Sequence, residues 1–284
     1  MSGDLLLAEA GANCHLNTVP GCGFPAPGAE IFFFDPIATF TLAGLTINIT
    51  KPMILLWLSV VIVVGFFVLV FRKATVVPGR AQGLAEYGYL FVRDGIARDT
   101  IGRQGDKYVP LLFSFFFFVW MNNLWGIIPF AQIPVTSKFA IPVAFAAIVY
   151  LAWVPLGVKR QGAAAFFKGM TMPKDVPKLM YVLLIPIEIL SNFIVRPFTH
   201  SVRLFANMFA GHMLLATFAI AAWYTFPVDW SQQTGIAVIG LFGSLASSVV
   251  FVALTAFEMG IQALQAYVFT LLAAVYINDA VNAH

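Results

Sequence analysis

The sequence predicts an all-α integral membrane protein with about five transmembrane helices, the last two long and tilted, and a further helix on the membrane surface. Two observations predict this class. Hydrophobic residues make up 60% of the 284 residues and charged residues 10%, whereas soluble domains are about half apolar and about a quarter charged. The apolar residues also form long uncharged runs rather than alternating patterns, which favours helices that cross a bilayer.

The distribution of charge predicts how the chain is oriented. Seven Lys or Arg residues lie in residues 72–107 and five in residues 159–178, so the positive-inside rule places both stretches in the cytoplasm. Residues 1–51 contain four acids and no base before Lys51. We therefore expect an exported amino-terminal segment (1–51), a single membrane domain (52–284) and, after an odd number of crossings, a cytoplasmic carboxyl terminus.

Three uncharged runs predict the first three spans. The first, residues 52–71, contains twenty residues, enough to cross a hydrocarbon core of about 30 Å. The second and third spans, residues 108–130 and 139–158, are separated by a short segment that contains Pro134 and Lys138. These two spans should form an out-and-back hairpin.

The segment between the first two spans, residues 72–107, has two interpretations. It is polar, but apolar residues recur near helical spacing at Leu84, Tyr87, Leu90 and Phe91. This stripe favours a helix that lies on the inner membrane surface. An ordinary solvated loop is the alternative.

The last two spans, residues 179–226 and 234–278, are each about twice as long as a perpendicular crossing needs. The second contains no proline and one charge, Glu258, so one tilted helix and two short ones are both open. The first contains Pro186 and Pro197. Pro197 either kinks a single helix or separates two.

Several kinds of site have no motif in this sequence. It contains no GxxxxGK[ST] phosphate loop, no Cys-x-x-Cys and no His-Glu-x-x-His, so we expect no cofactor, no metal and no hydrolytic centre. It also lacks the basic face of a nucleic-acid-binding domain. Cys14 and Cys22 lie in the predicted exported segment, where an oxidising compartment allows a disulfide.

The remaining candidates are polar residues inside the predicted spans. A guanidinium at mid-bilayer costs about 2.5 to 17 kcal/mol, so Arg203 requires an anionic partner or water. On a helix, Arg196, His200, Arg203 and Asn207 fall within about 60° of one another. They form one polar stripe.

A second polar stripe surrounds Glu258 in the last span. Its members project within about 60° of Glu258 on a helix; they are Ser244, Ser247, Thr255, Gln262 and Gln265. Such a stripe can line an aqueous path, although each Ser and Thr is more often a helix-packing residue that bonds a backbone carbonyl. His212, on the opposite helix face from Arg203, has two interpretations: a functional group or a histidine hydrogen-bonded within the bundle.

Three quoted stretches resemble one family. They are RPFTHSVRLFANMFAGHML (196–214), FEMGIQALQAYVFTLLAAVYI (257–277) and FFFFVWMNNLWGIIP (115–129), and all three are similar to subunit a of bacterial rotary proton-translocating ATP synthases. The resemblance covers most of the chain from the first span onward. It implies a stator subunit whose two half-channels lead protons to the carboxylates of a c-subunit ring, so that proton flow drives ring rotation and ATP synthesis.

The resemblance also implies roles for individual residues. Arg203 would face the ring and separate the half-channels, Asn207 matches the family asparagine four positions later, and Gln265 matches the glutamine that approaches the arginine. His212 and Glu258 occupy the family's acid and histidine positions in the outer half-channel, with the two residue types exchanged.

For the inner half-channel, the resemblance implies Glu188, together with Ser191 and His200. Glu188 stands fifteen residues before Arg203, one more than the family spacing. Gln262 belongs to the polar line of the last span and is also a candidate for the proton path.

The implied partners are the c-subunit ring, the b subunits of the peripheral stalk, the rest of the ATP synthase and the lipid bilayer. The chain would lie in the bacterial plasma membrane, amino terminus outside, and would not itself be catalytic. One alternative is a proton-coupled secondary transporter that uses Glu258 and His212; it predicts internal repeats, which the sequence lacks. Another, a scaffold without transport, leaves Arg203 and Glu258 unexplained.

Overall fold

A computed structural model describes residues 24–33, 36–42, 45–128, 131, 133–171, 177, 180–227 and 234–282. Cys14 and Cys22, and with them the question whether they form a disulfide, lie outside these residues. The chain divides into two compact units. One comprises Pro36–Met208 and Gln262–His284, and the other comprises the described part of residues 1–35 with Phe209–Ile261.

The larger unit begins with a β-hairpin, which the all-α prediction did not include. Strands β1 (Ala38–Leu42) and β2 (Leu45–Ile49) pair antiparallel, with Ala38 opposite Ile49. Their sequences, ATFTL and LTINI, alternate threonine or asparagine with apolar residues, which is the period of a strand. The hairpin leads directly into helix α1 (Lys51–Phe71).

The segment after α1 is helical, so the loop interpretation is wrong. Helix α2 (Arg80–Val92) continues into a π-helical turn (Arg93–Arg98), a helical turn (Asp99–Ile101) and a 3-10 turn (Arg103–Lys107). The four residues of the predicted apolar stripe are exposed, whereas Ala85 and Val92 on another face are buried. The stripe therefore faces away from the core of this unit.

Helices α3 (Val109–Leu124), α4 (Ala140–Gln161) and α5 (Ala163–Thr171) follow. A buried polar link joins α1 to the end of α3: Ser59 Oγ donates to Asn122 Oδ1 at 3.3 Å and accepts a hydrogen bond from Trp125 Nε1 at 2.7 Å. Intramembrane hydrogen bonds of this kind hold helices together.

The segment that contains both prolines is one continuous helical run. Helix α6 (Tyr181–Leu190) passes through a π-helical turn (Ser191–Val195) into α7 (Arg196–Thr225). The π turn ends two residues before Pro197, and such turns accommodate the backbone hydrogen bond that a proline cannot make. The choice left open by Pro197 is therefore settled in favour of a single run with a local distortion.

The last helix is also continuous. Helix α8 (Thr234–Val281) contains 48 residues, so of the two alternatives left open by the sequence, the structure has the single long helix.

In the smaller unit, the two long helices approach each other closely. A Cβ at Gly240 would lie 2.6 Å from the Thr225 carbonyl oxygen, so glycine is required at this contact. Ser244 Oγ donates to the Ala222 carbonyl at 2.8 Å, and Thr255 Oγ1 donates to the Phe251 carbonyl of its own helix. Both hydroxyls thus have the packing role that their residue types favour.

Among the described residues, four helical runs are long and apolar enough to cross a membrane: Lys51–Phe71, Ala140–Gln161, Tyr181–Thr225 and Gly235–Val281. Helix α3 is apolar but has only 16 residues. The predicted class, a helical multi-pass membrane protein, is confirmed. The number of crossings and the limits of each span stay predictions.

Candidate functional site

Arg203 lies on an exposed face of α7. Its neighbours Leu204 and Met208 are fully buried, whereas Arg203 itself is exposed. Among the described residues, no carboxylate lies within ion-pair distance of its guanidinium. Arg196, seven residues earlier, differs in this respect, because its Nη1 lies 3.8 Å from Asp279 Oδ2.

One turn after Arg203, a hydrogen bond links α7 to α8. Asn207 Nδ2 donates to Gln265 Oε1 at 2.6 Å, and Gln265 is only 4% exposed. The structure thus brings together two residues that were placed on separate polar stripes. This bond fixes the rotation of α7 relative to α8 in the turn that follows Arg203.

His200 and Gln262 are buried polar residues of the same unit. The His200 ring lies against Phe269 with centroids 4.1 Å apart. Within the described chain, neither ring nitrogen of His200 and neither amide atom of Gln262 has a hydrogen-bond partner. A buried polar atom without a partner costs about 1 to 3 kcal/mol, so water is the natural partner for these groups.

The predicted stripe on α7 is therefore divided by burial. His200 is 2% exposed, whereas Arg203 and Asn207 are exposed. Three residues correspond to about 300° of helix rotation, so His200 and Arg203 lie on either side of the boundary between the buried and exposed faces of α7. His200 faces the core, and Arg203 faces away from it.

In the smaller unit, Glu258 is buried against α7. It is 5% exposed, and a Cβ at Gly211 would lie 2.8 Å from its Oε1. The glycine therefore leaves the space that the carboxylate occupies. His212, the next residue of α7, has a buried Nδ1 that lacks a hydrogen-bond partner in the described part of the chain.

The amino-terminal segment also contributes to this site. Phe32 is 7% exposed, and its ring centroid lies 4.8 Å from that of Phe209 and 5.7 Å from that of His212. Phe24 makes an edge contact with Tyr224 of the same helix. An aromatic side chain from outside the long helices therefore covers one side of His212.

Glu188 has a partner that the sequence analysis missed. Its Oε2 accepts a hydrogen bond from Asn192 Nδ2 at 3.2 Å, and the same nitrogen donates to the Met170 carbonyl at 3.0 Å. Ser191 and His200 were the expected companions. Asn192 is buried in the π-helical turn, and its spacing of four residues from Glu188 was the signal that could have identified it.

Comparisons with known proteins identify the family. A family model described as ATP synthase A chain matches residues 53–278. The chain belongs to the ATP synthase A chain family. The match begins in the first turn of α1 and ends in the last turn of α8, so it includes Glu188, His200, Arg203, Asn207, His212, Glu258, Gln262 and Gln265.

Bacterial members of this family resemble the chain over nearly its whole length. The protein named ATP synthase subunit a of Streptomyces lividans is 50% identical over 274 residues, which are 96% of this chain and 92% of the relative. The protein of the same name in Pseudarthrobacter chlorophenolicus is 44% identical, over 92% of this chain and 94% of the relative. The one in a Nocardioides species is 39% identical, over 94% of this chain and 96% of the relative. The family resemblance read from the sequence is confirmed.

Proposed function

We propose that the chain is the stator proton-channel subunit of the membrane sector of an ATP synthase. Two half-channels lead protons to and from the carboxylates of a c-subunit ring, and proton flow turns the ring and drives ATP synthesis. Membership of the family supports this function over a proton-coupled secondary transporter. The subunit is not itself catalytic, and its other partners are the b subunits and the lipid bilayer.

The observation that carries the proposal is the environment of Arg203. This arginine lies in a 45-residue apolar helical run, on an exposed face, and the described part of the chain supplies no carboxylate for it. A charge in hydrocarbon persists only where something compensates it. A ring of c-subunit carboxylates passing this face would provide such a compensating acid.

The chemistry of the guanidinium determines what this contact does. Arginine stays protonated in proteins, so it stabilises an ionised c carboxylate without accepting its proton. A nearby cation lowers a carboxylate pKa by about 1 to 3 units. Arg203 thus keeps the carboxylate that faces it deprotonated, and protons are prevented from passing directly from one half-channel to the other.

The outer half-channel is assigned to Glu258 and His212. Glu258 is buried in hydrocarbon-facing helices, and a structural role does not require an acid there. Imidazole titrates near neutral pH and can pass a proton in either direction. Phe32 shields one side of His212, which limits the directions from which water reaches the imidazole.

The inner half-channel is assigned to Glu188, His200 and Gln262. Asn192 holds the Glu188 carboxylate, and the buried groups of His200 and Gln262 lack protein partners among the described residues. Polar atoms of this kind support a hydrated path. With this assignment, the amino terminus lies outside the cell and the carboxyl terminus lies in the cytoplasm.

A pair of conservative substitutions tests the role of Arg203. Arg203→Lys should abolish ATP synthesis driven by a proton gradient, because a buried ammonium can lose its proton and lacks the planar fork of arginine. The matched control is Arg196→Lys on the same helix, which should retain synthesis because lysine can still pair with the half-exposed Asp279. Both variants are measured as assembled complexes in reconstituted vesicles.

Arg203→Ala should fail in the same assay, although the subunit still inserts and assembles. Full coupled synthesis by either Arg203 variant would disprove the assigned role. Purification without a ring of small carboxylate-bearing subunits would instead favour the transporter.

A further inference from the structure

An apolar cavity of about 450 Å³ lies between α1, α2 and α3 in the larger unit. Its lining includes Val63 and Phe67 of α1, Leu84 and Gly88 of α2, and Phe117 of α3. The lining residues of α3 extend from Phe116 to Leu124, a length of about 12 Å along that helix. The cavity takes no part in the proposed proton path.

Gly88 determines the shape of this cavity. A Cβ at Gly88 would lie 2.8 Å from Cζ of Phe117, so the phenyl ring lies directly against the backbone of α2. The ring is also in edge contact with Phe67, at 5.0 Å between centroids. The described residues leave the space beside the ring unfilled.

Two occupants are apolar enough for this lining: a transmembrane helix, which is about 10 Å in diameter, and a lipid acyl chain. The cations described below favour the lipid, because its headgroup carries the complementary negative charge. A single lipid acyl chain is narrower and has the apolar surface that the lining matches. The volume also falls within the range of about 300 to 1,000 Å³ that is usual for ligand sites.

Three exposed cations flank the lining residues in the sequence, at the end of α1 and the start of α2: Arg72, Lys73 and Arg80. Arg72 follows the lining residue Phe67 by five positions, and Arg80 precedes the lining residue Leu84 by four, so each lies about 6 to 8 Å from the cavity along its helix. In the described chain, none of the three makes an ion pair.

Glu86, the acid of this region, is hydrogen-bonded to a neutral side chain. The Glu86 carboxylate accepts a hydrogen bond from Gln82 Nε2 at 2.7 Å, and the Gln82 side chain is in turn bound to Thr75. This bond leaves the negative charge of Glu86 in place, but the region still has three cations against one acid, an excess that attracts an anionic headgroup.

We propose that this cavity binds one anionic phospholipid, with an acyl chain between α1, α2 and α3 and the phosphate beside Arg72, Lys73 and Arg80. The lipid belongs to the leaflet that meets the carboxyl-terminal end of α1. It fills a space that the three helices leave open and joins the surface helix α2 to the two spans.

The assembled complex tests this site in vesicles that contain phosphatidylglycerol with a diazirine in its acyl chain. Photolysis should label the lining residues of α1, α2 and α3 above other lipid-facing positions. Val63→Trp places an indole in the cavity and should lower this labelling at least fivefold. The matched control is Val61→Trp, at a residue that is 66% exposed and does not line the cavity; it should label like the parent.

A second arm tests the headgroup. Diazirine-labelled phosphatidylcholine should label the cavity less than phosphatidylglycerol does. Exchange of all three cations, Arg72, Lys73 and Arg80, for Gln should lower phosphatidylglycerol labelling by at least about fivefold, because the loss of a single cation is already expected to have an effect of that size. Arg103→Gln, an exposed cation elsewhere, should change nothing. Equal labelling by both lipids, or uniform labelling of all lipid-facing positions, would overturn the proposal.

Discussion

Gly211→Ala should slow proton entry through the outer half-channel, because the added methyl group meets the Glu258 carboxylate. The new Cβ would lie 2.8 Å from Oε1 and 3.1 Å from Cδ. Ordinary carbon contacts are about 3.5 to 4.0 Å, so the carboxylate or the helix must move by about half an ångström or more. Overpacking of this kind costs about 1 to 3 kcal/mol.

The functional effect should exceed the effect on stability. Alanine is favoured over glycine in a helix interior by about 1 kcal/mol, which offsets part of the strain. The displaced group, however, is the one assigned to proton transfer, and a misplacement of about 1 Å can cost about a hundredfold in rate. We therefore expect proton flux to fall about three- to tenfold in an assembled complex.

Gly260→Ala is the matched control. It lies on α8 two residues after Glu258, and an added Cβ there meets nothing within 4 Å. Passive proton flux is measured in vesicles that contain the membrane sector, with a pH-sensitive dye inside. Gly260→Ala should retain the parental rate. An unchanged rate in Gly211→Ala, with normal assembly, would refute the assignment of Glu258 to the path.

Two further predictions concern hydrogen bonds. Asn207→Leu should destabilise the complex by about 1 to 3 kcal/mol, because it leaves the buried Gln265 amide unpaired. Adding Gln265→Leu should recover part of that loss. Thermal unfolding of the single and double variants measures both effects, and a double variant as unstable as the single one would contradict the prediction. In the turns that follow α2, hydrogen bonding from Arg98 lowers the pKa of Asp106 to about 2. The difference in the free energy of unfolding between the parent and Asp106→Asn should therefore persist above about pH 4 and disappear as the pH falls through 2. A difference that did not depend on pH would contradict this prediction.

Much of the fold could be predicted from the sequence because lipid imposes a simple rule. Uncharged runs about twenty residues long become helices, since backbone groups in hydrocarbon must bond within their own segment. The continuity of α8 was left open, because length alone does not distinguish one tilted helix from two short ones. The β-hairpin was missed because it lies outside the apolar runs, where that rule does not apply.

The candidate site was predicted less completely, for a physical reason. Helical periodicity places residues on a face, but it does not determine which faces meet. Asn207 and Gln265 were therefore assigned to separate stripes, although they form one hydrogen bond. The contact of Phe32 with His212 joins residues 180 positions apart, and no local pattern marks it.

Two arginines on one helix show why Arg203 points to a second chain. Arg196 and Arg203 differ by seven residues and so share a face of α7, yet Asp279 pairs with Arg196 and no described acid of this chain pairs with Arg203. A permanent partner would neutralise Arg203 and leave it unable to attract successive carboxylates. In the proposed motor, Arg203 must release each partner in turn, so its acids have to arrive and leave, as they would if they were carried by a chain that moves relative to this one.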